Sequence, residues 1–237
     1  MAYFCILYSV YNIGRIMMSS NLSLPVARAS LADAVYERLS AAILAGDFSC
    51  GHEFNEVELA NRLDVSRTPV REALRRLVND GLVMIPRNRH PAVVQPTRND
   101  VVEAFQVREF LETGAASLAA QRINDSELAR LRELAAEAEP HSRPDWCEAE
   151  RRFDAALHEA IAAATGNSRL RQEIDRYLKL FRLVRHRAAH NPERLTCGHR
   201  EHLAILHALE ARDPQAAAAA MKAHIALACQ AILDYLP

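Results

Sequence analysis

Three residues, Asp64-Val65-Ser66, separate two short stretches that each carry a helical apolar period. "NEVELANRL" opens on Asn55, a good helix-capping residue, with Glu58 three positions on in a capping-box pattern. "VSRTPVREALRRL" sets Val70, Ala73, Leu74 and Leu77 at the i, i+3, i+4, i+7 spacing of one buried face. Two short helices joined by so tight a turn, the second of them basic, make a helix-turn-helix.

The basic helix departs from an ordinary solvated face. Arg67, Arg71 and Arg75 recur every fourth residue, and with Arg76 they stand against a single acid, Glu72. Thr68-Pro69 reads as an N-cap followed by proline at the first helical position, with Ser66 as the alternative cap. Gly81, after Asn79-Asp80, is the expected stop. From Arg62 to Arg98 there are eight arginines, no lysine and three acids, on a chain whose net charge is only −1. A local basic patch on a near-neutral protein is the electrostatic footprint expected for DNA.

After Gly81 the period changes. "LVMIP" and "AVVQP" are short β-prone runs flanking "RNRHP". They predict a small hairpin wing whose tip carries Arg87, Arg89 and His90. Pro86, Pro91 and Pro96 keep its strands short and at an edge.

Before and after this region the text is helical. "LADAVYERLSAAILAG" puts Leu31, Val35, Leu39, Ile43 and Leu44 on one stripe and ends at Gly46. From Thr97 onward, six helical stretches run to the C-terminus. They start with a Thr-x-x-Asp cap at Thr97, continue with "NDSELARLRELAAEAE" capped by Asp125 or Ser126, and then "PDWCEAERRFDAALHEAIAAAT" up to Gly166. "SRLRQEIDRYLKLFRLVRHRAA" fades at "HNPERLTCG", "HREHLAILHALEA" follows, and Asp213-Pro214 opens the last helix as N-cap and N1 proline. The fold class expected is mainly α: a winged helix-turn-helix over 25–96, then an all-helical antiparallel bundle over 97–237.

Residues 1–24 are expected to be a poorly ordered extension. The apolar part of "MAYFCILYSVYNIGRIMMSS" is shorter than the roughly 20 residues of a spanning helix, no basic segment precedes it and no small-residue cleavage site follows. An upstream start, with Met17 or Met18 as the true first residue, is favoured over a short interfacial anchor. No membrane partner is expected. Five scattered cysteines without a C-x-x-C fit a reducing cytoplasm rather than a disulfide scaffold. One further pattern stands out. Asp154 and His158 are i, i+4 on one helix and share a face, as metal ligands on a helix must, although such a pair is often only a surface hydrogen bond. His202 and His224 lie on two later helices, each within an apolar-periodic stretch.

"ELANRLDVSRTPVREALRRLVNDGLV" resembles the winged helix-turn-helix of GntR-family bacterial repressors. "VREFLETGAASLAA", "FDAALHEAIAAATGNSRL" and "EHLAILHALEARDPQAAAAAMKAHI" resemble the FadR-type C-terminal ligand-sensing (FCD) domain. The resemblance runs from about Pro25 to Tyr235. It implies a homodimer reading a palindromic DNA operator through Ser66, Arg67, Thr68 and Arg71. Arg67 and Arg71 leave the helix on one side, where a guanidinium can take both O6 and N7 of guanine, while Thr68 and the helix start can hold phosphate. Arg75 and Arg76 are expected on phosphate or on acids. The wing departs from the family pattern, since "NRHPAVV" places His90-Pro91 where a glycine would let backbone approach DNA.

The resemblance also implies that Asp154, His158, His202 and His224 converge on a divalent metal in the bundle core. Three imidazoles and a carboxylate suit zinc first, then nickel or iron, rather than magnesium or calcium. Open metal positions under a pocket would bind a small carboxylate effector. Arg108 matches the family's effector-facing arginine, with Glu112 one turn on as its partner, and Arg185 is a second candidate. His186, His190, His199 and His207 have no match and are expected as surface or packing residues. The rival reading, a metal-dependent hydrolase of a small organic acid, lacks a nucleophile motif or a clear extra general base.

Overall fold

The computed structural model describes residues 30–87, 89–188, 192–234 and 236, with side chains for all of these except 184–188. The expected extension over 1–24 lies outside the described residues, as does the Arg185 side chain. Helices α1 (Leu31–Leu44), α2 (Glu56–Leu63) and α3 (Arg67–Asn79) are followed by a hairpin of β1 (Val83–Met84) and β2 (Ala92–Val93). The strands are antiparallel, with Val83 opposite Val93 and Met84 opposite Ala92. Glu53 adds an isolated bridge to Ala92, so the turn before α2 lies along the wing.

The tight turn between α2 and α3 works through its backbone. Asn55 accepts hydrogen bonds from the N–H groups of Val57 and Glu58 and so starts α2. Asp64 then takes a left-handed conformation (φ 52°), one that Asp tolerates better than most residues, and reverses the chain. Ser66 is the N-cap of α3, already extended at ψ 167°. The proline placement expected from sequence is therefore corrected. Arg67 and Thr68 are helical and Pro69 is the third residue of α3, still within the first turn, where a missing N–H costs no helical bond. Val70, Ala73, Leu74 and Leu77 are buried as their spacing requires. They meet Val35, Leu39 and Ile43 of α1, but Leu31, the first residue of that stripe, is 63% exposed. At the far end Gly81 turns at φ +75°, a conformation open to it for lack of a Cβ.

The remaining chain is α4 (Arg98–Arg122), α5 (Asp125–Glu137), α6 (Trp146–Ala164), α7 (Ser168–Ala188), α8 (Pro192–Glu210) and α9 (Pro214–Leu233). Thr97 and Asp100 form a reciprocal capping box. Two boundaries differ from the sequence expectation. Asn124, not Asp125 or Ser126, caps α5, because its side chain reaches the N–H of Glu127. Pro192 starts α8, so much of the stretch expected to fade is helix; proline at a first helical position needs no N–H.

Helices α4 and α9 lie antiparallel. Arg98 at the start of α4 donates to the carbonyls of Leu233 and Leu236 at 2.6 and 2.7 Å, and Lys222 pairs with Glu109 at 2.9 Å. Helix α9 is apolar enough by length and composition to cross a membrane, with a mean hydropathy of 1.5. Here its inward side, Met221, His224, Ile225 and Ala228, is buried in the bundle.

The bundle core is centred on Phe153, Leu157, Ile161, Ile205 and Met221. The N-terminal core is separate, and Leu183 of α7 enters it. Just before Leu183, Lys179 lies 3.4 Å from Asp80, the C-cap of α3, and 3.3 Å from the hydroxyl of Tyr36, which itself donates to Asp80. Helix α7 thus belongs to both cores.

Candidate metal centre and nucleic-acid interface

Helical spacing puts Asp154 and His158 on the inner face of α6, where α8 and α9 bring His202 and His224 against them. All four are buried, and one ligand atom from each lies within 4.8 Å of the others. Oδ1 of Asp154 is 3.5 Å from Nε2 of His158 and 3.4 Å from Nε2 of His202. Metal bonds of about 2.1 Å place neighbouring ligand atoms about 3.0–3.5 Å apart, so these separations fit a shared ion. The Nε2 atoms of His158 and His202 are buried without a hydrogen-bond partner among the described residues. A buried polar atom left unpaired is costly, and a metal ion would satisfy both.

Each of the three histidines is oriented from behind by a glutamate. Nδ1 of His158 lies 2.5 Å from Glu112, Nδ1 of His202 2.7 Å from Glu150, and Nδ1 of His224 2.9 Å from Glu201. This is the outer shell that metal-binding histidines usually have. Sequence reading assigned Glu112 to Arg108 and missed Glu150 and Glu201. Of the two roles expected for His199, surface or packing, it takes the second: it is buried with its Nδ1 2.6 Å from Glu150. His207 is exposed, and the side chains of His186 and His190 lie outside the described residues.

The electrostatics ask for a cation. Glu112, Glu150, Asp154 and Glu201 stand against two guanidinium groups, Arg108 and Arg194. A divalent ion would supply the missing positive charge. Protons respond to the same field. Burial disfavours the His202 imidazolium, yet the nearby Asp154 and Glu150 carboxylates outweigh it and hold the group up at about 9. Burial and the neighbouring His202 push His224 down to about 3. Burial would raise Glu112, but Arg108 and His158 overcome it and bring it to about 2.

Arg108 is 1% exposed, and its guanidinium is stacked between the rings of Phe105 and Phe181, 4.9 and 4.6 Å from their centres. Its Nε donates to Glu112 at 2.7 Å, while Nη1 is buried without a partner among the described residues.

On α3, Ser66, Arg67, Thr68, Arg71 and Arg75 are all exposed on the face away from the core, and Arg87, Arg89 and His90 are exposed on the wing. A feature not read from sequence is Glu56, the first residue of α2. Its carboxylate takes Arg71 Nη2 at 2.8 Å and Arg67 Nη2 at 3.4 Å, and the Arg71 bond holds it below the usual carboxylate range. Arg76 instead pairs with Asp33 at 2.5 Å and stacks 4.0 Å over Tyr36, the acid partner that sequence offered as its alternative to phosphate.

A winged helix-turn-helix with exposed arginines, followed by a helical bundle with a buried carboxylate–histidine cluster, is the architecture of a DNA-binding transcriptional regulator. The comparisons with known proteins agree. Residues 31–93 match the bacterial regulatory proteins of the gntR family, and residues 103–227 match the FCD domain. The chain is similar to the Nta operon transcriptional regulator of Aminobacter aminovorans, 32% identical over 189 residues covering 80% of this chain and 88% of that protein. It is similar to the HTH-type transcriptional repressor NanR of Klebsiella aerogenes, 27% identical over 224 residues and 85% of each chain. The solved structure of E. coli McbR/YncC aligns with a TM-score of 0.72 at 25% identity, covering 86% of this chain and 99% of that one. The chain belongs to the GntR family of transcriptional regulators and carries an FCD domain; these relatives are regulators, not hydrolases.

Proposed function

We propose that this regulator represses transcription as a homodimer on a palindromic operator in the cytoplasm, and that a small carboxylate bound at a metal-containing pocket modulates its grip on DNA. The observation that carries this reading is the buried Asp154, His158, His202 and His224 cluster with its unpartnered Nε2 atoms. Zinc is the expected ion, with nickel or iron as alternatives. A bound ion would supply a positive anchor with positions left for an anionic ligand. The unpartnered Nη1 of Arg108 is a ready donor to the same anion. Arg185 is kept as a second candidate for that role.

Ser66, Arg67, Thr68, Arg71 and Arg75 are assigned to DNA together with Arg87, Arg89 and His90 of the wing. One recognition helix reads only a few base pairs, and a two-fold axis doubles the site. A second copy has a surface to meet. The antiparallel pair α4 and α9 leaves Val107, Leu227 and Phe110 exposed, the last at 82%.

The test is operator affinity with and without small carboxylates, on metal-loaded and metal-stripped protein. A carboxylate response that needs the metal, and that Arg108→Ala abolishes while metal content is kept, is expected. An undiminished response in both Arg108→Ala and His202→Ala would move the sensing site elsewhere.

A further inference from the structure

The carboxylates behind the histidines can only accept hydrogen bonds when ionised, and this decides where the imidazole protons sit. Glu112 receives two donors in a dry site. One is Nε of Arg108 at 2.7 Å and the other is Nδ1 of His158 at 2.5 Å. The arginine cannot give up its proton, and its stack between Phe105 and Phe181 prevents it from swinging away. Nδ1 of His158 must therefore carry a hydrogen. In the neutral ring the lone pair is then on Nε2, the atom that faces Asp154.

Glu150 is placed differently. It accepts from Nδ1 of His202 at 2.7 Å and from Nδ1 of His199 at 2.6 Å. His199 is outside the four-residue cluster, so it can exchange its two ring tautomers without disturbing a ligand atom.

We propose that Glu112 is the positioning residue that locks His158 in its metal-ligating tautomer, and that His199 makes Glu150 dispensable for the same task at His202. The proposal rests on the metal centre proposed above. Replacing Glu112 by glutamine leaves one acceptor and one donor where two donors converge. With the amide oxygen on Arg108, the amide N–H faces Nδ1 of His158. That nitrogen must now accept, which sends the ring proton to Nε2 and closes the ligand atom. The opposite orientation sets N–H against N–H beside an immobile arginine. In Glu150→Gln the oxygen stays with His202, the N–H turns to His199, and His199 changes tautomer instead. Each substitution removes one negative charge beside the same centre, so charge alone would make their effects equal.

The experiment uses the full chain with 15N-labelled histidine, zinc as the probe and a chelator competition to measure affinity. Glu112→Gln is expected to weaken zinc binding about 10- to 100-fold, the usual cost of losing an outer-shell partner, and Glu150→Gln less than about threefold. Metal-free spectra should show the proton moved to Nε2 of His158 in the first variant, and a tautomer change at His199 alone in the second. Equal losses of affinity, or an unchanged His158 in Glu112→Gln, would overturn the proposal. Should wild type take up no zinc, the metal reading falls and the tautomer spectra still decide the lock. Should Glu112→Gln fail to fold, the wild-type spectrum decides: a hydrogen on Nε2 of neutral His158 refutes the lock, and one on Nδ1 alone supports it.

Discussion

On the DNA face, the principal side chains come from one helix and stand in water; in the bundle they come from three helices and are shut away from it. Arg67, Arg71 and Arg75 are spaced along α3, and among the described residues it is Glu56 that orders Arg67 and Arg71 from outside the helix. Such exposed pairs are screened by water and contribute little, so the arginines remain free to exchange Glu56 for a base or phosphate. Asp154, His158, His202 and His224 are held by packing and by a glutamate behind each histidine. Water cannot substitute for a lost partner there. The same chemistry of charged hydrogen bonds is therefore adjustable on one surface and all-or-none in the other region.

The largest expected effect tests the all-or-none half. His202→Ala or His224→Ala should abolish stoichiometric metal in the purified protein, measured by elemental analysis. With free metal at a thousand times Kd, losing the ion removes about 4 kcal/mol of stability, seen as a fall in Tm. Full occupancy after losing either histidine would break the four-ligand assignment. Next comes Arg71→Ala, expected to cost about 1–3 kcal/mol on the operator and to relax one position per half-site. Equal losses on operator and random duplex would reduce Arg71 to a phosphate contact.

Glu56→Gln should do less and in the opposite sense on random DNA. Freeing two arginines and removing an acid should raise random-duplex affinity about two- to fivefold, within the range of an exposed ion pair. Glu58→Gln, one acid away in the same turn, is the control; an equal gain there would show that Glu56 acts only through net charge. The smallest effect belongs to Arg76→Ala. Its pair with Asp33 and its stack on Tyr36 predict a stability loss of about 1 kcal/mol or less in urea unfolding, with base preference unchanged. A changed base preference would put Arg76 on the DNA.

The contrast also explains what could be read from the chain. The recognition helix was legible because its pattern is local: four arginines, the buried period and the stop at Gly81 all lie within one short stretch. Most helix starts were legible to within one or two residues, but α8 begins at Pro192, seven residues before the expected His199. Ser66, the alternative cap, is the one α3 uses, and Asn124 caps α5 in place of Asp125 or Ser126, because capping depends on backbone torsions that several neighbouring residues can adopt. The proposed metal ligands could be named only through their resemblance to a family pattern, since Asp154, His202 and His224 are far apart in sequence. Glu150 and Glu201 were invisible because a glutamate on a helix is normally solvated, and nothing local marks the one that points inward. Glu56 was read as part of a helix start, which it is, and its reach across the turn to Arg67 and Arg71 has no sequence signature.

Leu183 has a consequence for how the protein comes apart. It lies in the middle of the bundle's sequence yet is 3% exposed inside the N-terminal core. A fragment ending at residue 96 would keep every arginine assigned above to DNA and lose a wall of its own interior. Truncating a buried leucine typically costs about 2–5 kcal/mol, a large share of what so small a unit can hold. The reading head is therefore not a detachable module whose melting is independent of the sensor. Heat should meet a single cooperative transition, so whatever stabilises the bundle also raises the temperature at which the arginine helix stays folded.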